Sequence, residues 1–288
     1  MATVSVLLIL VSAVMHASWN ALARRTESPY AFFFSFNLVA TVLWLPIALI
    51  AGWGDPPSPW DALLILGSGS LQVLYFVFLA SAYQRGGLTL VYPIARGTSV
   101  ALVPIAGYAL FSERPSIAGW IGIATTLAGL GILAVASWQG IDRAGPGRSG
   151  SAAGFALLTG MVITSYSLVD NFGVGRINPV VYGYGLIAAS AVLQLPYALT
   201  RRWPEVHRQL TANVRSVLAG SVLSLGTYLL VLVALTESNV GYVVPLRETS
   251  IVFAVIIGII MLREPISRPR IVAALVIAAG SVCIAIGG

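Results

Sequence analysis

The feature that most constrains this chain is a run of about twenty apolar residues that keeps returning. Such runs occur ten times in 288 residues, at about 3–23, 30–51, 60–84, 88–111, 116–138, 151–172, 179–199, 214–236, 239–262 and 268–287. A helix rises about 1.5 Å per residue, so each run matches the roughly 30 Å of hydrocarbon in a bilayer. In hydrocarbon every backbone N–H and C=O needs a partner within the protein, which admits only helices or closed barrels. A barrel would show short alternating strands, and this sequence shows none. Only 9 % of the residues are charged and 58 % are hydrophobic, against about 25 % charged in an ordinary soluble domain. That polar supply cannot coat a soluble globule. The expected fold is an all-α polytopic membrane protein with ten transmembrane helices.

The separators are short and carry helix-stopping chemistry. Gly52–Pro59 holds three prolines, Arg85–Gly87 reads as a tight turn, and Ser112–Ser116 contains Pro115. A proline cannot continue a helix without losing a hydrogen bond. The stretch 139–150 is rich in glycine and charge and reads as a linker. Thr200–Arg215, with Trp203-Pro204, predicts a short interfacial helix. No Lys or Arg precedes Arg24, so the first run lacks the basic start of a cleaved leader and reads as a retained span.

All sixteen basic residues are arginines and the net charge is +6. They stand singly or in pairs between spans, which suits topological anchoring rather than nucleic acid. An even span count puts both termini on one side. With the termini outside, twelve arginines fall in cytoplasmic loops and two, Arg114 and Arg176, fall outside. The positive-inside rule thus predicts periplasmic termini in a bacterial-type inner membrane. The one cysteine, Cys283, lies in an apolar run and reads as a packing residue.

The chain repeats itself at about 150 residues. Leu45-Pro46-Ile47-Ala48-Leu49 matches Leu195-Pro196-Tyr197-Ala198-Leu199, and Pro29 matches Pro179. Arg96-Gly97-Thr98-Ser99 matches Arg247-Glu248-Thr249-Ser250, Pro93 matches Pro245, and Glu113 matches Glu264. The expected units are residues 1–138 and 151–288, joined by 139–150. Five spans is an odd number, so the second copy enters the membrane from the other side. Many secondary transporters are built from such inverted repeats, with the substrate at their interface near mid-membrane.

Beyond the first turns of the spans, five ionisable residues fall within them: His16, Arg96, Asp170, Arg247 and Glu248. Each costs about 2.5–3.5 kcal/mol or more to insert, so each should face the bundle interior or a partner. Arg96 and Arg247 occupy matching places in the two copies. A guanidinium fork suits a carboxylate or phosphate, so the pair reads as an anion clamp for substrate, as a gating ion pair with Glu248, or as a static one. Glu248, His16 and Asp170 are candidate proton relays, each with a structural alternative. Asp170 matches Asn20 at the 150 offset. Pro93 and Pro245 remove helical N–H groups beside the arginines and are candidate hinges. Tyr92 and Tyr242 flank those prolines and, with Thr98 and Thr249, complete the candidate substrate contacts. Tyr75, Tyr83 and Tyr228 are further tyrosines of the pocket or the interfacial belt. Small residues at Ala124/Ala128, Thr125/Gly129, Ala274/Ala278 and Ser281/Ala285 predict close helix packing, within a monomer or in a homodimer.

These residues resemble a known family. Two five-span repeats, the Tyr92-Pro93 and Val244-Pro245 steps, and the Glu113 and Glu264 turns are similar to EamA-type members of the drug/metabolite transporter superfamily. The resemblance covers nearly the whole chain. It implies a basket-shaped fold whose cavity is lined by the third, fourth, eighth and ninth spans. It also implies small organic solutes, often amino acids, other metabolites or toxic compounds, often exported. It implies cytoplasmic termini as well, the reverse of the arginine distribution.

The sequence carries no P-loop, HExxH, Cys/His ligand set or GxSxG. The expectation is therefore a transporter and not an enzyme, with no cofactor, no metal and no nucleic-acid partner. Its expected partners are a small-molecule substrate and membrane lipid. A passive channel or facilitator is the alternative, and a lipid-linked sugar flippase a more distant one.

Overall fold

A computed structural model describes residues 1–23, 26–85, 88–138, 146–261 and 268–287. These residues form thirteen helices and no strand: α1 (Thr3–Ala23), α2 (Pro29–Leu43), α3 (Leu45–Ala51), α4 (Pro59–Arg85), α5 (Leu88–Phe111), α6 (Ile117–Trp138), α7 (Pro146–Val174), α8 (Pro179–Arg201), α9 (Trp203–Ala212), α10 (Val214–Glu237), α11 (Val240–Arg247), α12 (Thr249–Met261) and α13 (Arg268–Gly287). Nine segments among them are long and apolar enough to cross a membrane, and the bent pair α2–α3 makes a tenth. The short helix expected between the seventh and eighth spans is α9.

Local chemistry explains the helix starts. Ser28 caps α2, its hydroxyl accepting from the Ala31 N–H, with Pro29 in the first turn. Asn178 caps α8 in the same way, accepting from Val180 at 2.9 Å ahead of Pro179. A polar cap followed by proline pins both equivalent starts. The later proline behaves differently in the two copies. The chain bends by 49° between α2 and α3, with Pro46 in the first turn of α3, whereas α8 runs unbroken past Pro196. Burial is alike at equivalent positions, with Ala48 and Ala198 buried and Leu49 and Leu199 exposed, so it does not explain the difference. What differs is the neighbour that follows: Ala198 at the end of α8 packs in a cluster with Val206 of α9, Ala31 and Phe34.

The two halves pack mainly on each other. α6 lies along α13, α4 along α7, α1 along α10, and α5 along α7. Leu7, Leu63, Ile105, Val192, Ile260 and Leu275 stand exposed on the outside, where hydrocarbon is the matching solvent. Between lipid and protein there is little hydrophobic gain, so close backbone approach and polar contacts hold such helices together. The α6–α13 seam shows this. A Cβ on Gly122 would stand 2.7 Å from the Gly280 carbonyl oxygen, and one on Gly280 would stand 2.5 Å from Thr126 Oγ1. The expected close packing is present, but the face is shifted. Ala124 and Ala128 point outward, and Gly122, Thr126 and Gly129 meet α13.

Candidate functional site

Three elements converge at the centre: α1, α5, and the junction of α11 with α12. Arg96, on α5, is buried. Its Nη1 donates to Glu248 Oε1 at 3.2 Å, and its Nη2 lies 3.3 Å from His16 Nε2 on α1. An arginine can only donate, so in this contact His16 Nε2 is the acceptor. One turn before Arg96, the Tyr92 ring lies 5.6 Å from the guanidinium carbon, within cation–π range. Trp19 packs edge-on to His16 with ring centroids 4.8 Å apart.

Glu248 owes its position to a helix break. Pro245 sits inside α11, and the chain turns at Glu248 before α12 begins. By contrast α5 passes Pro93 unbroken, so the two candidate hinges differ in backbone. Glu248 is buried, and only Oε1 is engaged. Its Oε2 has no hydrogen-bond partner among the described residues. A buried acceptor left unmet costs free energy and invites a donor.

Arg247, the preceding residue, is half-buried. It lines a cleft with Ser12, Ala13, His16, Arg96 and Ser250. Among the described residues it has neither an ion-pair nor a hydrogen-bond partner, although it lies within electrostatic reach of His16, Asp170 and Glu248. The space between these side chains is too narrow to admit a water molecule.

A second buried polar cluster centres on Asp170 of α7. Its Oδ1 accepts from the Ser68 hydroxyl at 2.6 Å and from the Tyr182 hydroxyl at 2.9 Å. Its Oδ2 accepts from the Tyr228 hydroxyl, which in turn receives Gln72 Nε2 at 3.1 Å. The network ties together α4, α7, α8 and α10. Three donors satisfy both oxygens, as a buried carboxylate requires.

The hydroxyls of the remaining candidates are engaged away from the arginines, although Thr249 itself sits at the α11–α12 junction. Thr98 bonds back to the Ile94 carbonyl at 2.7 Å and packs under α7, where a Cβ on Gly160 would stand 2.4 Å from its Cβ. The Thr249 hydroxyl bonds to the Leu246 carbonyl across the helix break. Tyr242 is turned toward the end of the bundle, where its hydroxyl accepts from the Ser116 N–H at 2.7 Å and meets the Gly287 carbonyl at 3.2 Å. Asn20 bonds to the backbone of His16. Glu264 lies outside the described residues. Sequence reasoning missed Ser12, Ser250, Ser68 and Tyr182. Ser12 could have been found, because it stands four residues before His16 on the same helical face. Ser250 closes the repeated Arg-x-Thr-Ser motif. Ser68 and Tyr182 carry no such signal, since their meeting at Asp170 joins three separate helices. Groups of three or more metal-ligating side chains are absent among the described residues.

Comparison with known proteins agrees with this architecture. The family model described as "EamA-like transporter family" matches residues 3–135 and again 150–286. Among solved structures, one crystal structure described only as that of a "protein" superposes with a TM-score of 0.79. The match covers 98 % of this chain and 97 % of that one, at 16 % identity, so the likeness is one of fold. No curated protein sequence matches the chain.

Proposed function

Because the chain belongs to the EamA-like transporter family, a family of multi-pass membrane transporters, we propose that it is a secondary transporter that moves a small organic metabolite by alternating access. The substrate class is an amino acid-like or other amphipathic solute bearing an anionic group, and the direction is export. The observation that carries the reading is Arg247. A guanidinium facing a central cleft with no bound partner among the described residues offers a fork of donors to a carboxylate or phosphate. Arg96 is occupied by Glu248, so the two arginines divide the work. Arg96 holds the repeats together and Arg247 meets the solute, with Tyr92 supplying an aromatic wall.

Two related repeats that meet at a polar centre support a carrier over a passive channel. Glu248, with one oxygen unmatched, is the proposed proton site for coupling. Asp170, satisfied on both oxygens, is the proposed ionised anchor. In this reading the protein works as a monomer, with its arginine-poor face and both termini outside, and catalyses no covalent chemistry.

Proteoliposome counterflow tests the proposal. Vesicles preloaded with candidate amino acids, other carboxylates and phosphorylated metabolites are challenged with trace labelled solute, with and without a pH gradient. A carrier gives saturable flux and trans-stimulation. Non-saturable flux would instead support the channel, and no flux across a broad panel would end the proposal.

A further inference from the structure

At the end of the bundle the first repeat reaches across to the second. α5 ends at Phe111, and Ser112 follows with φ 56°, in the left-handed region that non-glycine residues seldom adopt. That turn brings the Glu113 N–H back to the Gly107 carbonyl at 3.3 Å and sends the Glu113 side chain toward α11. Oε1 accepts from the Val240 N–H at 2.8 Å, and Oε2 from the Gly241 N–H at 3.0 Å. These are the first two residues of α11, whose opening N–H groups have no partner within the helix. The carboxylate also meets the positive end of the helix dipole. Burial pushes the Glu113 carboxyl above its ordinary value, and the two backbone N–H groups oppose that push.

The seat is shaped for the carboxylate. A Cβ on Gly107 would stand 2.6 Å from Oε2, and one on Gly241 would stand 3.0 Å from it. Beside it, the Ser116 hydroxyl donates to the Gly287 carbonyl at 2.5 Å, and Tyr242 bridges Ser116 and Gly287. Residues 113–116 thus hold both the start of α11 and the end of α13.

α11 is eight residues long. At about 1.5 Å per residue, its last residue, Arg247, stands about 10 Å deeper than Val240. α11 stays one helix past Pro245 as far as Arg247, so a shift at its start is passed on to Arg247 and Glu248.

We infer that Glu113 is a positioning residue for transport, a latch from the first repeat that sets the depth of Arg247 and Glu248 and shuts this face of the central cleft. Its part in transport rests on the reading above, but the latch can be tested without any solute.

The test uses the full chain in sealed vesicles, with Cys283→Ser as background and one reporter cysteine, Ser250→Cys, in the cleft. A charged, membrane-impermeant maleimide is supplied from one face at a time. Glu113→Gln, which loses one acceptor, should speed labelling from the Glu113 face about tenfold, the equivalent of about 1.4 kcal/mol. Labelling from the opposite face should not rise. Gly107→Ala, which keeps the carboxylate but crowds its seat, should reproduce the effect. Glu113→Asp should recover part of the parent rate.

Unchanged labelling in folded variants would overturn the latch. So would an equal rise from both faces, which marks general loosening, or failure of all three variants to fold, which marks a purely structural cap. Sided labelling in a protein that carries no solute in counterflow would keep the latch and dismiss the transport reading.

Discussion

Arg96 and Glu248 are 152 positions apart and lie in different repeats, yet their side chains form a buried ion pair of 3.2 Å. The repeat supplies two arginines, Arg96 and Arg247, but only one carboxylate, because Gly97 stands where Glu248 would have its counterpart. Near symmetry therefore ends in an asymmetric centre: one arginine is paired and the other is open to the cleft.

The pair should be costly to break and cheap to replace. Glu248→Gln or Arg96→Ala leaves one polar partner buried alone, and each should lower unfolding stability by roughly 3–5 kcal/mol. Arg96→Met combined with Glu248→Leu should regain most of that loss without regaining transport. Thermal unfolding in nanodiscs reads both. Single variants as stable as the parent would contradict the pairing.

Arg247 should separate function from stability. It has no bond to lose among the described residues, so Arg247→Ala should change stability by less than about 1 kcal/mol. Counterflow should fall at least about tenfold if a bidentate anion contact is lost. Arg247→Lys should restore only part, because an ammonium lacks the planar fork. Equal loss of folding and transport would assign Arg247 a structural role.

The Asp170 network should respond in graded order. Ser68→Ala removes one donor and should cost about 1 kcal/mol, while Asp170→Asn weakens three bonds to a charged acceptor at roughly 1.5–3 kcal/mol each at most. Denaturation of the two variants side by side checks the order. A larger loss for Ser68→Ala would show that the carboxylate is not the hub.

The α6–α13 seam should reject bulk. Gly122→Leu must displace the backbone around Gly280, and overpacking of this kind costs about 1–3 kcal/mol. Ala128→Leu, on the outward face of the same helix, should be near neutral. Comparable losses in both would place a second interface on that outward face.

The α9 clamp should loosen in acid. The Ser28 hydroxyl and then Arg202, at 2.8 Å, hold the Glu205 carboxyl below its ordinary value of 4.5. A lowered carboxyl contributes stability above its unfolded value and loses it as pH falls through the folded one. A nitroxide at His207→Cys, with Cys283→Ser, should keep constant mobility from pH 8 to about pH 5 and gain mobility below about pH 4.5. Glu205→Gln should be mobile already at neutral pH. The effect should shrink in high salt, since the pair is partly exposed.

Much of this protein was legible in one dimension. The ten spans, the interfacial helix α9 and the duplication follow from local hydropathy, proline placement and residue order, none of which needs a distance across the fold. The same logic marked Arg96, Arg247, Glu248 and His16, because a charge in a span has to face inward and inward is where the repeats meet. It did not show where the hydroxyls of Tyr242, Thr98 and Thr249 turn, which is to Ser116 and Gly287, to Ile94 and to Leu246. Closeness to a proline or an arginine along a helix does not say which way a side chain turns.

The amino-acid order alone determined that the chain is a multi-pass membrane protein of two related halves with nine to ten candidate spans, since the cost of polar groups in hydrocarbon acts on each segment separately. Only the tertiary structure decided that Glu248 takes Arg96, that Arg247 is left open, that Asp170 is met by Ser68, Tyr182 and Tyr228, and that Glu113 reaches α11. Each of those outcomes depends on which helices lie side by side, and hydrogen bonds and ion pairs act over about 3 Å whatever the separation in sequence.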